Sequence, residues 1–78
     1  MDKEEFEDKV RKAAQNDTYL LRDDNGFLYW VDTVDNSIPD ETIGIFYHSD
    51  DGDTYRATLN EAYSWFEIVD AETYEAIE

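Results

Sequence analysis

Two acidic, glycine-containing breaks divide the middle of this chain into short aromatic and β-branched runs. They are Asp23-Asp24-Asn25-Gly26 and Asp50-Asp51-Gly52-Asp53. Clusters of this kind turn a chain, because glycine tolerates positive φ and Asp and Asn side chains bond nearby backbone. Around the first break, residues 18–22 and 27–32 read as two strands of a hairpin. Asn25-Gly26 is the turn signal, since both residue types accept positive φ. Around the second, residues 42–48 and 54–59 read as another strand pair. In the latter run Tyr55, Ala57 and Leu59 alternate with Thr54, Arg56 and Thr58, the period of a strand. Residues 35–40, with the single proline Pro39, form the loop between the pairs.

Helical periodicity flanks this region. Phe6, Val10, Ala13 and Ala14 recur at helical spacing, so residues 2–15 are expected to be a helix. Asp2 is its candidate N-cap, with Glu5 three residues on in the capping-box position. Residues 60–69 carry two signals. Ser64, Phe66 and Ile68 alternate with Trp65, Glu67 and Val69, as in a strand, whereas Tyr63 and Phe66 also suit a helix. Asp70 is a candidate N-cap for a last helix over 71–78, with Glu72, Glu75 and Glu78 on one face. The expected fold is α+β: an antiparallel sheet of four or five strands with an N-terminal helix and a short C-terminal helix. Residues 1–78 are expected to form a single domain.

Charge narrows the function. The chain holds 21 acidic and 6 basic residues, a formal net charge of -15. Residues 1–12 are nearly balanced; residues 13–78 hold sixteen acids against two bases, Arg22 and Arg56. Aromatics make up 15% of the chain, enough rings to build a core despite the charge. A folded surface this negative repels nucleic acid and anionic membranes, so direct DNA, RNA or membrane binding is not expected. It attracts basic proteins instead. No cysteine is present, which removes disulfides and thiolate metal sites. No apolar run approaches the ~18 residues of a membrane span. No basic segment followed by an apolar run opens the sequence, so a cytoplasmic location is expected. Asn16-Asp17-Thr18 matches a glycosylation sequon but is read as chance in that setting.

Catalytic and metal chemistry find little support. An EF-hand loop needs glycine at its sixth position. Setting Gly26 or Gly52 there puts Leu21 or Tyr47 at the first position, where a carboxylate is needed. His48 is the only histidine and has no cysteine partner or serine elbow in the sequence. With three glycines there is no phosphate-binding loop. The expectation is a protein that is not an enzyme and needs no cofactor or metal. Tyr29, Trp30, Tyr47, Tyr63 and Trp65 are either core or interface anchors. Strand alternation places Tyr29 and Trp30 on opposite faces, so one of them turns away from the core.

Length, charge, the lack of cysteine and the α+β pattern with acidic turns resemble a class of small phage inhibitors that imitate DNA, the anti-CRISPR proteins among them. The resemblance implies a target that is a basic DNA-binding protein or complex, such as a type I CRISPR Cascade. Same-face side chains of a strand lie about 6.6–7 Å apart, a spacing comparable to successive phosphates. Two acidic clusters are candidates for partner binding: Asp50, Asp51 and Asp53, and the base-free C-terminal stretch with Glu67, Asp70, Glu72, Glu75 and Glu78, to which Trp65 is added as an anchor. The alternative is an acidic interaction protein without mimicry, either antitoxin-like or salt-adapted.

Overall fold

Helix α1 runs over Lys3–Asn16 in the computed structural model, which describes residues 1–35 and 44–77. Asp2 caps it, its side chain accepting from Glu5 N at 2.9 Å. Asp17 ends it in the left-handed region at φ 55°, its N–H donating to the Ala13 carbonyl. Phe6, Val10 and Ala13 form the buried stripe and Ala14 packs at its margin. On the solvent side, Glu7–Arg11 and Asp8–Lys12 pair one turn apart at 3.0 and 3.1 Å.

Five strands follow: β1 (Tyr19–Arg22), β2 (Leu28–Asp35), β3 (Gly44–Ser49), β4 (Thr54–Thr58) and β5 (Glu67–Asp70). Their order is β4-β3-β2-β1-β5, and every neighbouring pair is antiparallel. Residues 42–43 of the expected third strand, and most of the Pro39 loop, lie outside the described residues. β2 continues past Asp32 through a bulge: Val31 faces Tyr47 and Thr33 faces Phe46, leaving Asp32 as the extra residue.

The doubtful segment 60–69 resolves into both elements. Helix α2 spans Leu59–Trp65 and β5 follows at once. A full capping box starts α2: Glu61 N donates to Thr58 Oγ1 at 3.1 Å, and Thr58 N donates to Glu61 Oε1 at 3.0 Å. Leu59 therefore begins a helix and does not end a strand. α2 carries the chain back across the sheet, from the β4 edge to the β5 edge.

One expectation is corrected. No helix forms over 71–77, and the short C-terminal helix of the fold is α2 instead. Asp70 does act as a cap, accepting from Glu72 N at 2.7 Å and Thr73 N at 3.1 Å. After one turn, Tyr74 adopts φ 61° and the chain reverses. Asp70 N then donates to Glu75 O, and Ile77 N to Ile68 O, around a bridge between Val69 and Ala76. So short a helix gains few internal hydrogen bonds. Lying along β5 satisfies backbone groups that an open edge would leave unpaired. Glu72 and Glu75 therefore share no helical face, and Glu78 lies outside the described residues.

Both helices cover the same face of the sheet. Phe6 meets Tyr63 edge-on at 5.4 Å between α1 and α2. Beneath them Leu21, Val31, Ile45, Tyr47, Ala57 and Ile68 form the core with the helix stripes. Leu20 and Val69 are buried on the opposite face, outside that core cluster. Alternation sends Tyr29 to the helix side and Trp30 to the open side, as expected for consecutive strand residues.

Candidate functional site

The strand order decides which charges meet. β1 ends, β2 begins, β3 ends, and β4 and β5 begin at one end of the sheet. Both Asp-rich turns and Glu67 therefore lie at that end. So does Trp65, because α2 runs back toward it. The sheet end is about 19 Å wide, four strand intervals.

The two turns are built alike. Asp23 N donates to Phe27 O and Gly26 N to Asp23 O, each at 3.0 Å. Ser49 N donates to Asp53 O and Gly52 N to Ser49 O, again at 3.0 Å. Each is a three-residue loop closed by a glycine at positive φ, 87° for Gly26 and 90° for Gly52. The turn reading is right in place, but the positive φ belongs to Gly26 alone and Asn25 does not share it.

The carboxylates at this end divide into two groups. Asp23 is consumed by the fold: Oδ1 accepts from Asn25 N at 2.9 Å and Phe27 N at 3.0 Å, and Oδ2 accepts from Tyr29 Oη at 2.9 Å. Glu67 Oε1 accepts from Arg22 Nε at 2.6 Å, and Arg22 Nη1 donates to the Tyr74 carbonyl at 3.1 Å. Among the described residues, Asp24, Asp50, Asp51 and Asp53 make no side-chain hydrogen bond or ion pair. Their charge is directed at solvent.

Aromatic surface lies between these charges. Phe27 is 64% exposed, Trp65 47% and Tyr55 43%. Tyr55 sits on the helix side of the edge strand β4 and stacks on Tyr47 at 5.5 Å, where α1 does not reach it. Grooves flank the β1–β2 turn on either side. One, of about 380 Å³, lies between Asp23-Asp24 and Trp65-Glu67. Another, of about 420 Å³, lies between the two turns.

Of the expected site residues, Asp50, Asp51, Asp53, Glu67 and Trp65 come together. Asp70 ends β5 at the far end of the sheet, and Glu72 and Glu75 follow it there. Asp24, Phe27 and Tyr55 were missing from the expected set. Phe27, a large ring directly after a glycine turn, is a legible signal for a wall of the groove between the two turns. Tyr55 gives none, because its alternation with Ala57 points inward.

The remaining chemistry is sparse. His48 lies on the open face, with Nδ1 2.7 Å from Asp32 Oδ1 and its ring stacked on Trp30 at 5.8 Å. Asp32, two residues after Trp30, falls on that face by strand alternation. On the same face Arg56 lies over the Phe46 ring at 5.8 Å. No group of three or more His, Asp or Glu side chains converges as a metal site among the described residues. No helix among them is long and apolar enough to cross a membrane. Comparison with family models, curated proteins and solved structures gives no match.

Proposed function

We propose that this protein is a non-catalytic inhibitor that works in the cytoplasm and sets the turn end of its sheet into the basic groove of a nucleic-acid-handling complex. A CRISPR effector such as a type I Cascade is the target that the class resemblance implies. One observation carries the reading: Asp23, Asp24, Asp50, Asp51, Asp53 and Glu67 share one end of the sheet, with Arg22 as the base among them. Four of the six, Asp24, Asp50, Asp51 and Asp53, are unpaired among the described residues and turn their charge outward at an end about 19 Å wide, against the roughly five or six phosphates that one DNA strand places in that axial length. A groove shaped to neutralise phosphates would meet a comparable row of charge.

The distribution of charge favours this reading over salt adaptation. A salt-adapted surface is acidic all round, whereas α1 carries Lys3, Lys9, Arg11 and Lys12 among its acids, two of them in ion pairs. The test is capture of basic nucleic-acid-binding proteins on the immobilised chain, with elution by duplex DNA. Captured proteins should be released by the duplex and should not bind Asp50→Lys/Asp51→Lys. Retention in the presence of duplex DNA, together with unchanged capture by the variant, would rule the reading out.

A further inference from the structure

The groove between the two turns differs from the rest of the acidic end. Phe27 and Tyr55 flank it as exposed rings, and the half-buried Trp30, one face of which is stacked on His48, also lines it. Asp50 and Asp51 stand at its rim without a partner among the described residues. Ser49 lines it too, and its Oγ is buried with no hydrogen-bond partner among the described residues. A buried hydroxyl without a partner is costly and uncommon in folded chains.

Flat aromatic walls and a pair of carboxylates suit one side chain above others. A guanidinium is planar, stacks on rings, carries five N–H donors and binds carboxylates in a fork. It is also more weakly hydrated than an ammonium, so it gives up water at a ring face more readily. The volume of about 420 Å³ accommodates such a group with part of its stem. We propose that this notch is an arginine-binding site, in which one arginine of the basic partner stacks between Phe27 and Tyr55 and bonds Asp50 and Asp51. The inference rests on the basic-partner reading and adds to it a named anchor. Diffuse carboxylate charge draws in any cation, whereas this notch selects the guanidinium from the ammonium.

The experiment uses the full chain and two acetylated, amidated peptides, tetra-arginine and tetra-lysine, titrated at equal ionic strength. The arginine peptide should bind about fivefold or more tightly than the lysine peptide, the scale of a desolvated contact between a cation and a ring. Phe27→Ala removes an exposed ring and leaves the charge intact. It should abolish the preference without changing affinity for the lysine peptide. Amide resonances of Phe27, Ser49 and Tyr55 should shift with the arginine peptide alone. Equal affinities, or a preference that survives Phe27→Ala, overturn the notch while lysine-peptide binding leaves the acidic end standing. If neither peptide distinguishes the parent from Asp50→Lys/Asp51→Lys, the acidic-end reading falls and the notch falls with it.

Discussion

The Tyr29 hydroxyl donates a 2.9 Å hydrogen bond to Oδ2 of Asp23, whose other oxygen holds the backbone of the β1–β2 turn. One carboxylate thus joins a core-side ring of β2 to the loop that presents Asp24 and Phe27. Tyr29 also touches Tyr47 and Phe66 at 5.4 Å each, so the turn is anchored to the aromatic layer under α2. The charged end of the sheet is tied to the core at its root, although its outer carboxylates Asp24, Asp50, Asp51 and Asp53 have no partners among the described residues.

Tyr29→Phe keeps the ring and deletes that bond. Hydrogen bonds to charged groups contribute about 1.5–3 kcal/mol, and Asp23 retains two others, so a loss near 1–2 kcal/mol is expected. In a chain of this size that lowers the Tm by about 5–10 °C. A thermal melt at neutral pH checks it, and an unchanged Tm would show that the bond contributes nothing to the fold.

The same residue sets an alkaline limit. Burial, and then the hydrogen bond and charge of Asp23, push the Tyr29 phenol up to about 12. The fold favours the neutral phenol. Its contribution is whole below the ordinary tyrosine range near pH 10 and is lost as pH rises through about 12. Burial raises Tyr47 in the same direction, so part of the loss persists without Tyr29. Melts between pH 9 and 12 should show stability falling in the parent and falling less steeply in Tyr29→Phe. Parallel curves would remove Tyr29 as the titrating group.

Gly26 and Gly52 offer a matched pair. An added Cβ would meet nothing within 4 Å at either position, so the cost of alanine is backbone strain alone. Placing an L-residue in the left-handed region costs roughly 1–2 kcal/mol. Gly26→Ala and Gly52→Ala should each lose about that amount in urea unfolding, with unchanged m-values. A large difference between them would contradict the common construction of the two turns.

Added salt should stabilise the fold. Residues 13–78 hold sixteen acids against two bases, and self-repulsion opposes compactness. The Debye length falls from about 30 Å at 0.01 M to about 10 Å at 0.1 M. Tm should rise between those conditions. Asp50→Lys/Asp51→Lys should narrow the rise and change stability by only about ±0.5 kcal/mol per site, since both side chains are exposed.

Calcium should bind only weakly. The three-residue loops splay their carboxylates outward, and none of the described residues form a converging group. Calorimetric titration should show no saturable site tighter than about 10⁻³ M. A stoichiometric micromolar site would mean that the turns rearrange around the ion.

Local rules made much of the fold legible. The stripe Phe6, Val10, Ala13 and the caps Asp2 and Asp17 act within one or two turns of α1, so neighbouring residues suffice to specify them. Both hairpins are closed by bonds spanning three or four residues, and their Asp and Gly content announces them. The capping box of α2 was equally local, written in Thr58 and Glu61, but the alternation of residues 54–59 concealed it. The bulge at Asp32 left no such mark, because it depends on what β3 presents opposite.

Sequence alone determined the helix, the hairpins, the α+β class and a strongly acidic surface. Tertiary structure alone decided where that acid gathers. β5 pairs with β1, forty-five residues away between Arg22 and Glu67, and not with β4 beside it in the chain. That choice carries Trp65 and Glu67 to the turns and sends Asp70, Glu72 and Glu75 to the other end. It also decides that residues 71–77 fold back along a free strand edge and do not extend a helix from Asp70. Pairings of this kind rest on burying Leu21 against Ile68 and Leu20 beside Val69, contacts between segments that no local pattern relates.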